Sequence, residues 1–142
     1  MTNETHRQRH IGRSILAVLA GIVVGVILSL STDVLLHAIG VFPPWEQSAG
    51  NGPLLLATVY RTLYSILGSY VIARLAPDRP MRHALVGGVV GLVVSTVGDV
   101  VTWNKGAVFG PHWYPVALIV LAMPTAWAGG RLREMQLRER VG

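Results

Sequence analysis

Four long apolar stretches, separated by short polar gaps, constrain this chain more than any other feature of it. A helix rises 1.5 Å per residue, so about 20 mostly apolar residues cross the hydrocarbon core of a bilayer. The first stretch runs from about Ser14 to Val41, with Asp33 and His37 as its strongly polar interruptions. The second runs from about Leu54 to Leu75 and is broken by Arg61; the third, from about Ala84 to Trp103, is broken by Asp99. The fourth runs from about Pro115 to Leu132 and meets no ionisable residue before Arg131. Turn-forming residues stand in each gap: Pro43-Pro44 and Gly50-Asn51-Gly52-Pro53, then Pro77 with Pro80, then Gly110-Pro111. The pattern predicts an all-α polytopic membrane protein with four transmembrane helices. One membrane domain covers residues 1–142, with short basic tails at 1–13 and 133–142.

The basic residues set the expected orientation. Arg7, Arg9 and Arg13 precede the first span, Arg74, Arg79 and Arg82 flank the second gap, and Arg131, Arg133, Arg138 and Arg140 follow the fourth. Ten of the 12 basic residues thus fall on one side, and Lys105 alone falls in the opposite loops. By the positive-inside bias the arginine-rich side is cytoplasmic, which puts both termini inside. Phe42, Trp45, Trp103, Phe109, Trp113 and Tyr114 gather at the other end as an interfacial aromatic belt. Eleven basic residues are Arg, and with abundant Ala, Gly, Val and Leu this points to a GC-rich bacterial genome and a bacterial inner membrane. The basic start and apolar run also fit a cleaved signal peptide, but the third span repeats the same pattern, which argues for a retained helix.

That repeat appears when the chain is shifted against itself by 66 residues. Gly21-Ile-Val-Val-Gly25 then meets Gly87-Gly-Val-Val-Gly91, Ser29 meets Ser95, and Asp33-Val34 meets Asp99-Val100. The second and fourth spans match more weakly and at a different shift, through Ala73-Arg-Leu75 against Gly130-Arg-Leu132. Each unit is a two-helix hairpin, so the expected architecture is two parallel-repeat hairpins about an axis along the membrane normal. Small residues let helix backbones approach in lipid. Gly21 and Gly25 in the first helix, with Gly87 and Gly91 in the third, therefore predict a close crossing of those two helices.

Charges inside an apolar span are costly and usually carry a role. Asp33 and Arg61 each lie roughly 10 Å inside the outer boundary at 1.5 Å per residue, and are expected to pair. Asp99 sits somewhat shallower, and His37 stands one turn above Asp33. Tyr60 and Tyr64 flank Arg61, and Ser65 and Ser69 continue below it at i+4 spacing. Two carboxylates facing one guanidinium leave a surplus negative charge, to be settled by a proton on one Asp or by a bound cation. Asp33, His37, Arg61 and Asp99 are thus the candidate ligand or ion pathway. In the bland reading, the pair only fixes which helices meet.

No cysteine is present, which removes disulfides, thiol chemistry and thiolate metal sites. No HExxH, GxSxG, phosphate-cradling glycine loop or metal-spaced histidine cluster occurs, so catalytic residues, metal and cofactor are all expected to be none. The net charge of +5 resides in flanking arginines, not in a nucleic-acid-binding pattern. The stretches Val41-Phe-Pro-Pro-Trp45, Thr102-Trp-Asn104, Gly110-Pro-His-Trp-Tyr-Pro115 and Ala128-Gly-Gly-Arg-Leu132 resemble those of small uncharacterised four-helix bacterial membrane proteins. The resemblance implies that fold and no activity. Small multidrug transporters also have four short helices but carry a membrane Glu in the first; here Asp33 stands much nearer the outer face. Two functions are expected: a small transporter or ion-conducting protein, or a non-catalytic accessory subunit of a larger membrane complex. The lipid bilayer, and a homo-oligomer or larger complex, are the partners expected.

Overall fold

A computed structural model describes residues 2–105 and 107–142 of the chain. The described residues are all-α: α1 (Thr2–Ala38), α2 (Asn51–Leu75), α3 (Pro80–Thr102) and α4 (Trp113–Glu139), with a single 3-10 turn at Ala107–Phe109 between α3 and α4. Each of the four helices is long and apolar enough to cross a membrane.

Local chemistry fixes where the helices stop. α1 ends at Ala38, three residues short of the expected Val41, because Gly40 adopts a left-handed φ of 77°. The Gly40 N–H donates to the His37 carbonyl at 3.2 Å and the Val41 N–H to the Leu36 carbonyl at 2.9 Å, which is the Schellman closure of a helix. In α2, Pro53 sits in the first turn, where its missing N–H has no intrahelical partner to lose. Pro80 occupies the first turn of α3 in the same way. At the other ends the helices outrun the apolar stretches: α1 already begins at Thr2 and α4 continues to Glu139. The basic segments expected as tails are therefore mostly exposed extensions of helices.

The helices pack as three seams. α1 meets α2 where a Cβ on Gly68 would lie 2.7 Å from the Gly21 carbonyl oxygen. α2 meets α4 where a Cβ on Gly129 would lie 2.5 Å from the Ile66 carbonyl oxygen and 2.6 Å from the Tyr70 nitrogen. α3 meets α4 where Gly88 backs onto Ala126, and where a Cβ on Gly130 would lie 2.8 Å from the Met81 sulfur. Only glycine permits such backbone approach, since any side chain must push the helices apart. α2 and α4 run side by side in the same direction and form a floor, on which α1 and α3 stand as walls.

α1 and α3 come together toward the arginine-rich end, where Ser14 bonds His83, but not at Gly25 and Gly91, where the close crossing was expected. Gly21 and Gly87 do not face each other: both back onto Ile72 of α2, whose side chain fills the space between the two walls. Gly91 has nothing within 4 Å of an added Cβ, and at Gly25 the nearest atom is the Tyr64 carbonyl at 3.6 Å. The spacing of small residues was a sound guide to a shared face, but that face looks onto α2 and a space, not onto the partner helix.

These contacts separate two identical substitutions. Gly129→Ala must move backbone and should lower stability by roughly 1–3 kcal/mol, the usual effect of overpacking. Gly91→Ala meets no atom and should leave stability unchanged or raise it by up to about 1 kcal/mol through helix propensity. Thermal melts in detergent read both. Equal melting of the two variants would remove the proposed α2–α4 contact.

Candidate functional site

The C-terminal half of α1 and the N-terminal half of α2 are joined by polar side chains. Asp33 is buried at 7% exposure, and both its carboxylate oxygens are engaged from α2. The Tyr60 hydroxyl donates to Oδ1, and Arg61 Nη2 donates to Oδ2 at 2.5 Å. Tyr60 and Arg61 are adjacent in sequence, about 100° apart around the helix, so they reach one carboxylate from two sides. One turn further along α2, the Tyr64 hydroxyl meets Thr32 Oγ1 at 2.9 Å. Thr32 already donates to the Leu28 carbonyl, so Tyr64 is the donor. Phe42, Ala57 and Tyr60 form a small buried cluster beneath, with Leu36, Tyr64 and Tyr114 against it.

The other two residues expected at this site are elsewhere. His37 Nδ1 donates 2.7 Å to the backbone carbonyl of Asp33, not to its carboxylate. Its ring stacks on Trp45, with centroids 3.6 Å apart, and meets the edge of Phe42. His37 therefore belongs to an aromatic cap over the end of α1. His112 stacks on Trp103 at 3.9 Å in the other loop at this end. Asp99 is half-exposed near the end of α3, and among the described residues its carboxylate has no hydrogen bond or ion pair. The surplus-charge argument fails within the chain, because Asp33 and Arg61 neutralise each other and Asp99 stands apart. Among the described residues no group of three His, Asp or Glu is disposed to hold a metal ion.

Below the pair lies a cleft of about 380 Å³, lined by all four helices. Gly21, Gly25 and Ser29 line one wall, and Gly87, Gly91 and Ser95 the other. Arg61, Thr62, Ser65, Ser69 and Ile72 of α2, with Leu118, Leu121, Ala122 and Thr125 of α4, make the floor. Ile72 closes the cleft at one end by filling the space between Gly21 and Gly87. Beyond it a hydrogen bond of 2.8 Å joins His83 Nε2 to Ser14 Oγ and ties the walls together. Val26 and Leu30 of α1 and Val90 and Val94 of α3 line the cleft yet remain exposed, from 37% for Val90 to 65% for Val94. The cleft is therefore open along its side, between α1 and α3.

The cleft is what reading the sequence missed. Its signals were present: the i+4 run Arg61, Ser65, Ser69 on α2 and the matched small residues of α1 and α3. They were assigned to an ion path and to packing, respectively. Thr62 and Thr125 gave no signal, since both hydroxyls bond their own helix, to Thr58 and to Leu121.

The pair itself yields a prediction. Arg61→Leu strands a buried carboxylate and should cost about 3–5 kcal/mol, as breaking a buried pair from one side does. Arg61→Leu combined with Asp33→Leu should recover most of that loss. Denaturation in detergent measures the cycle, and a double variant no more stable than the single would show that the pair does not hold α1 on α2. No protein-family model, no curated protein and no solved structure matches the chain, so its function has to be argued from this geometry.

Proposed function

We propose that this chain is a four-span protein of a bacterial cytoplasmic membrane, with both termini inside, which binds and moves a small molecule through the cleft. The observation that carries the reading is the one-sided closure of the cleft. Ile72 and the Ser14–His83 hydrogen bond shut it toward the arginine-rich end, while its side remains open. A binding space sealed toward one face of the membrane and open sideways between two helices suits one state of a gated transport cycle. The arginine asymmetry and the opposite aromatic belt support the orientation. Lipid covers the exposed apolar surface, such as Leu19, Val23 and Ile27 of α1.

The repeat belongs to this reading. Gly21, Gly25 and Ser29 stand across the cleft from Gly87, Gly91 and Ser95, the positions equated by the 66-residue shift. Two hairpins related in this way would each supply one wall and half the floor. They part at the outer end, where α4 has Leu118 in place of a second Arg.

A second reading, an accessory subunit of a larger membrane complex, draws on the closed state of the Asp33–Tyr60–Arg61 knot. A buried carboxylate with both oxygens occupied is suited to fixing helices together. Transport therefore rests on the cleft and not on the carboxylates.

Two measurements test the proposal. Reporter fusions at Ser48 and Ala107 should read periplasmic, and fusions at Asp78 and Gly142 cytoplasmic; a periplasmic C-terminus overturns the topology. The absence of native cysteine also makes single-cysteine labelling clean. Ser95→Cys should react in intact cells with a small thiol reagent applied outside, and Val97→Cys, on the apolar exterior, should not. A Ser95→Cys as inert as Val97→Cys means a cleft closed to solutes and leaves the accessory reading.

A further inference from the structure

The walls of the cleft are chemically one-sided. Asp33 and Tyr60 do not line the cleft, so of the knot Arg61 alone does. Among the described residues lining the cleft, no carboxylate occurs, and Arg61 is the one charged group. It gives Nη2 to Asp33, while its Nε makes no hydrogen bond. An arginine is a donor in every state accessible to a protein, so this end of the cleft offers N–H and a positive charge.

The hydroxyls below point the same way. Helical Ser and Thr ordinarily bond back to the carbonyl four residues earlier, and Thr32, Thr58, Thr62, Thr96, Thr102 and Thr125 all do so. The serines of the cleft do not: among the described residues Ser29, Ser65, Ser69 and Ser95 have no hydrogen-bond partner. Ser69 is 8% exposed, and its hydroxyl is not among the buried atoms left without a partner, so it is reachable from the cleft. Arg61, Ser65 and Ser69 follow one another down α2 at i+4 spacing, so they form a short ladder of donors.

Apart from the serines, and from Thr62, Tyr64 and Thr125 whose hydroxyls are already bonded, the rest of the lining is apolar, and its lips are the exposed Val26, Leu30, Val90 and Val94. A guest entering there comes sideways, from hydrocarbon. The volume of about 380 Å³ lies near the lower end of small-molecule sites, which suits one chain and not the paired chains of a phospholipid. Depth excludes an anchored phosphate head as well. Arg61 lies ten residues into α2, about 15 Å from its start at 1.5 Å per residue. A carboxylic acid can reach that depth, because it sheds its charge by taking a proton on the way.

We infer that the cleft accepts a single-chain amphiphile with a carboxylate head, the head on Arg61, Ser65 and Ser69 and the chain between the lips of α1 and α3. The inference rests on the cleft being the binding site, as proposed above, and names its ligand class. A cation, the expected cargo had two carboxylates shared the site, meets a guanidinium here.

The test uses the full chain carrying Ser95→Cys, in nanodiscs of phosphatidylcholine at neutral pH, and follows the rate of thiol labelling. Dodecanoate should slow labelling about tenfold, while dodecanol and dodecyltrimethylammonium at the same concentration should change it less than about twofold, since only the first supplies an anionic acceptor. Adding Ser65→Ala with Ser69→Ala, which shrinks side chains and leaves Arg61 paired, should raise the half-protecting dodecanoate concentration about tenfold, or 1.4 kcal/mol. Equal protection by dodecyltrimethylammonium or dodecanol overturns the carboxylate class, as does protection by phosphatidylglycerol nanodiscs alone. A reactive Ser95→Cys that no amphiphile protects also overturns it, yet leaves the cleft open as a site. An inert Ser95→Cys removes both readings together.

Discussion

Backbone approach at glycine is the constraint on which the whole arrangement depends. Helices in a bilayer gain nothing by hiding apolar side chains from lipid, so contact must come from close packing and from polar groups. Here the backbones come together at Gly21–Gly68, at Gly129 against Ile66 and Tyr70, and at Gly88 against Ala126. These seams join α1 to α2, α2 to α4 and α4 to α3. Between α1 and α3 the contact is confined to one end, where Ser14 bonds His83, and no glycine seam joins them beside Gly25 and Gly91. Ile72 fills the α1–α3 gap at one level only, and above it the walls stand apart. The cleft is thus what remains when three glycine seams are satisfied and the α1–α3 side is propped open by a side chain.

The polar knot at the outer end follows from the same geometry. With α1 held to α2 by Gly21 and Gly68 below, the two helices still need a contact above, where no glycine occurs on the shared face. Asp33 supplies it by accepting from Tyr60 and Arg61, and Tyr64 adds a bond to Thr32. Neutralising Asp33 within the knot has a second effect. It holds Arg61 in place at the end of the cleft, with the countercharge on Asp33 outside the lining. A structural pair thereby sets the sign of the neighbouring binding surface.

The four helices were legible because length and hydropathy decide them, and their ends because Gly40, Pro53 and Pro80 act locally. The pairing of Asp33 with Arg61 was legible from depth alone, since each was ten ångströms or so from one boundary and neither could stay unpaired. What was not legible was which helix each small face meets. The series Gly21, Gly25, Ser29 and Gly87, Gly91, Ser95 identifies an uninterrupted small surface, and such a surface suits a tight crossing or the wall of a space equally well. The deciding residue, Ile72, lies on a third helix and looks like any other membrane isoleucine. His37 and Asp99 were misplaced for a related reason. Spacing along a helix gives depth and angle, but the hairpin ends that turn His37 onto Trp45 and leave Asp99 aside are set by loops.

The glycines that pack and the glycines that do not now separate the roles of the walls. A glycine in a helix interior costs roughly 1 kcal/mol against alanine, a cost repaid at Gly21, Gly68 and Gly129 by backbone contact that no larger residue permits. Gly91 is repaid by no contact at all, although it lines the cleft. A side chain there would project into the space between α1 and α3 and narrow it beside Ser95. Gly25 is intermediate: it lines the cleft, and a Cβ there would make ordinary contact with the Tyr64 carbonyl of α2 at 3.6 Å. At Gly91 the missing side chain serves the space and not the packing. That distinguishes the cleft from a packing defect, because in close-packed helices a defect is filled by the nearest flexible side chain, and Ile72 shows that this chain fills gaps where it closes them.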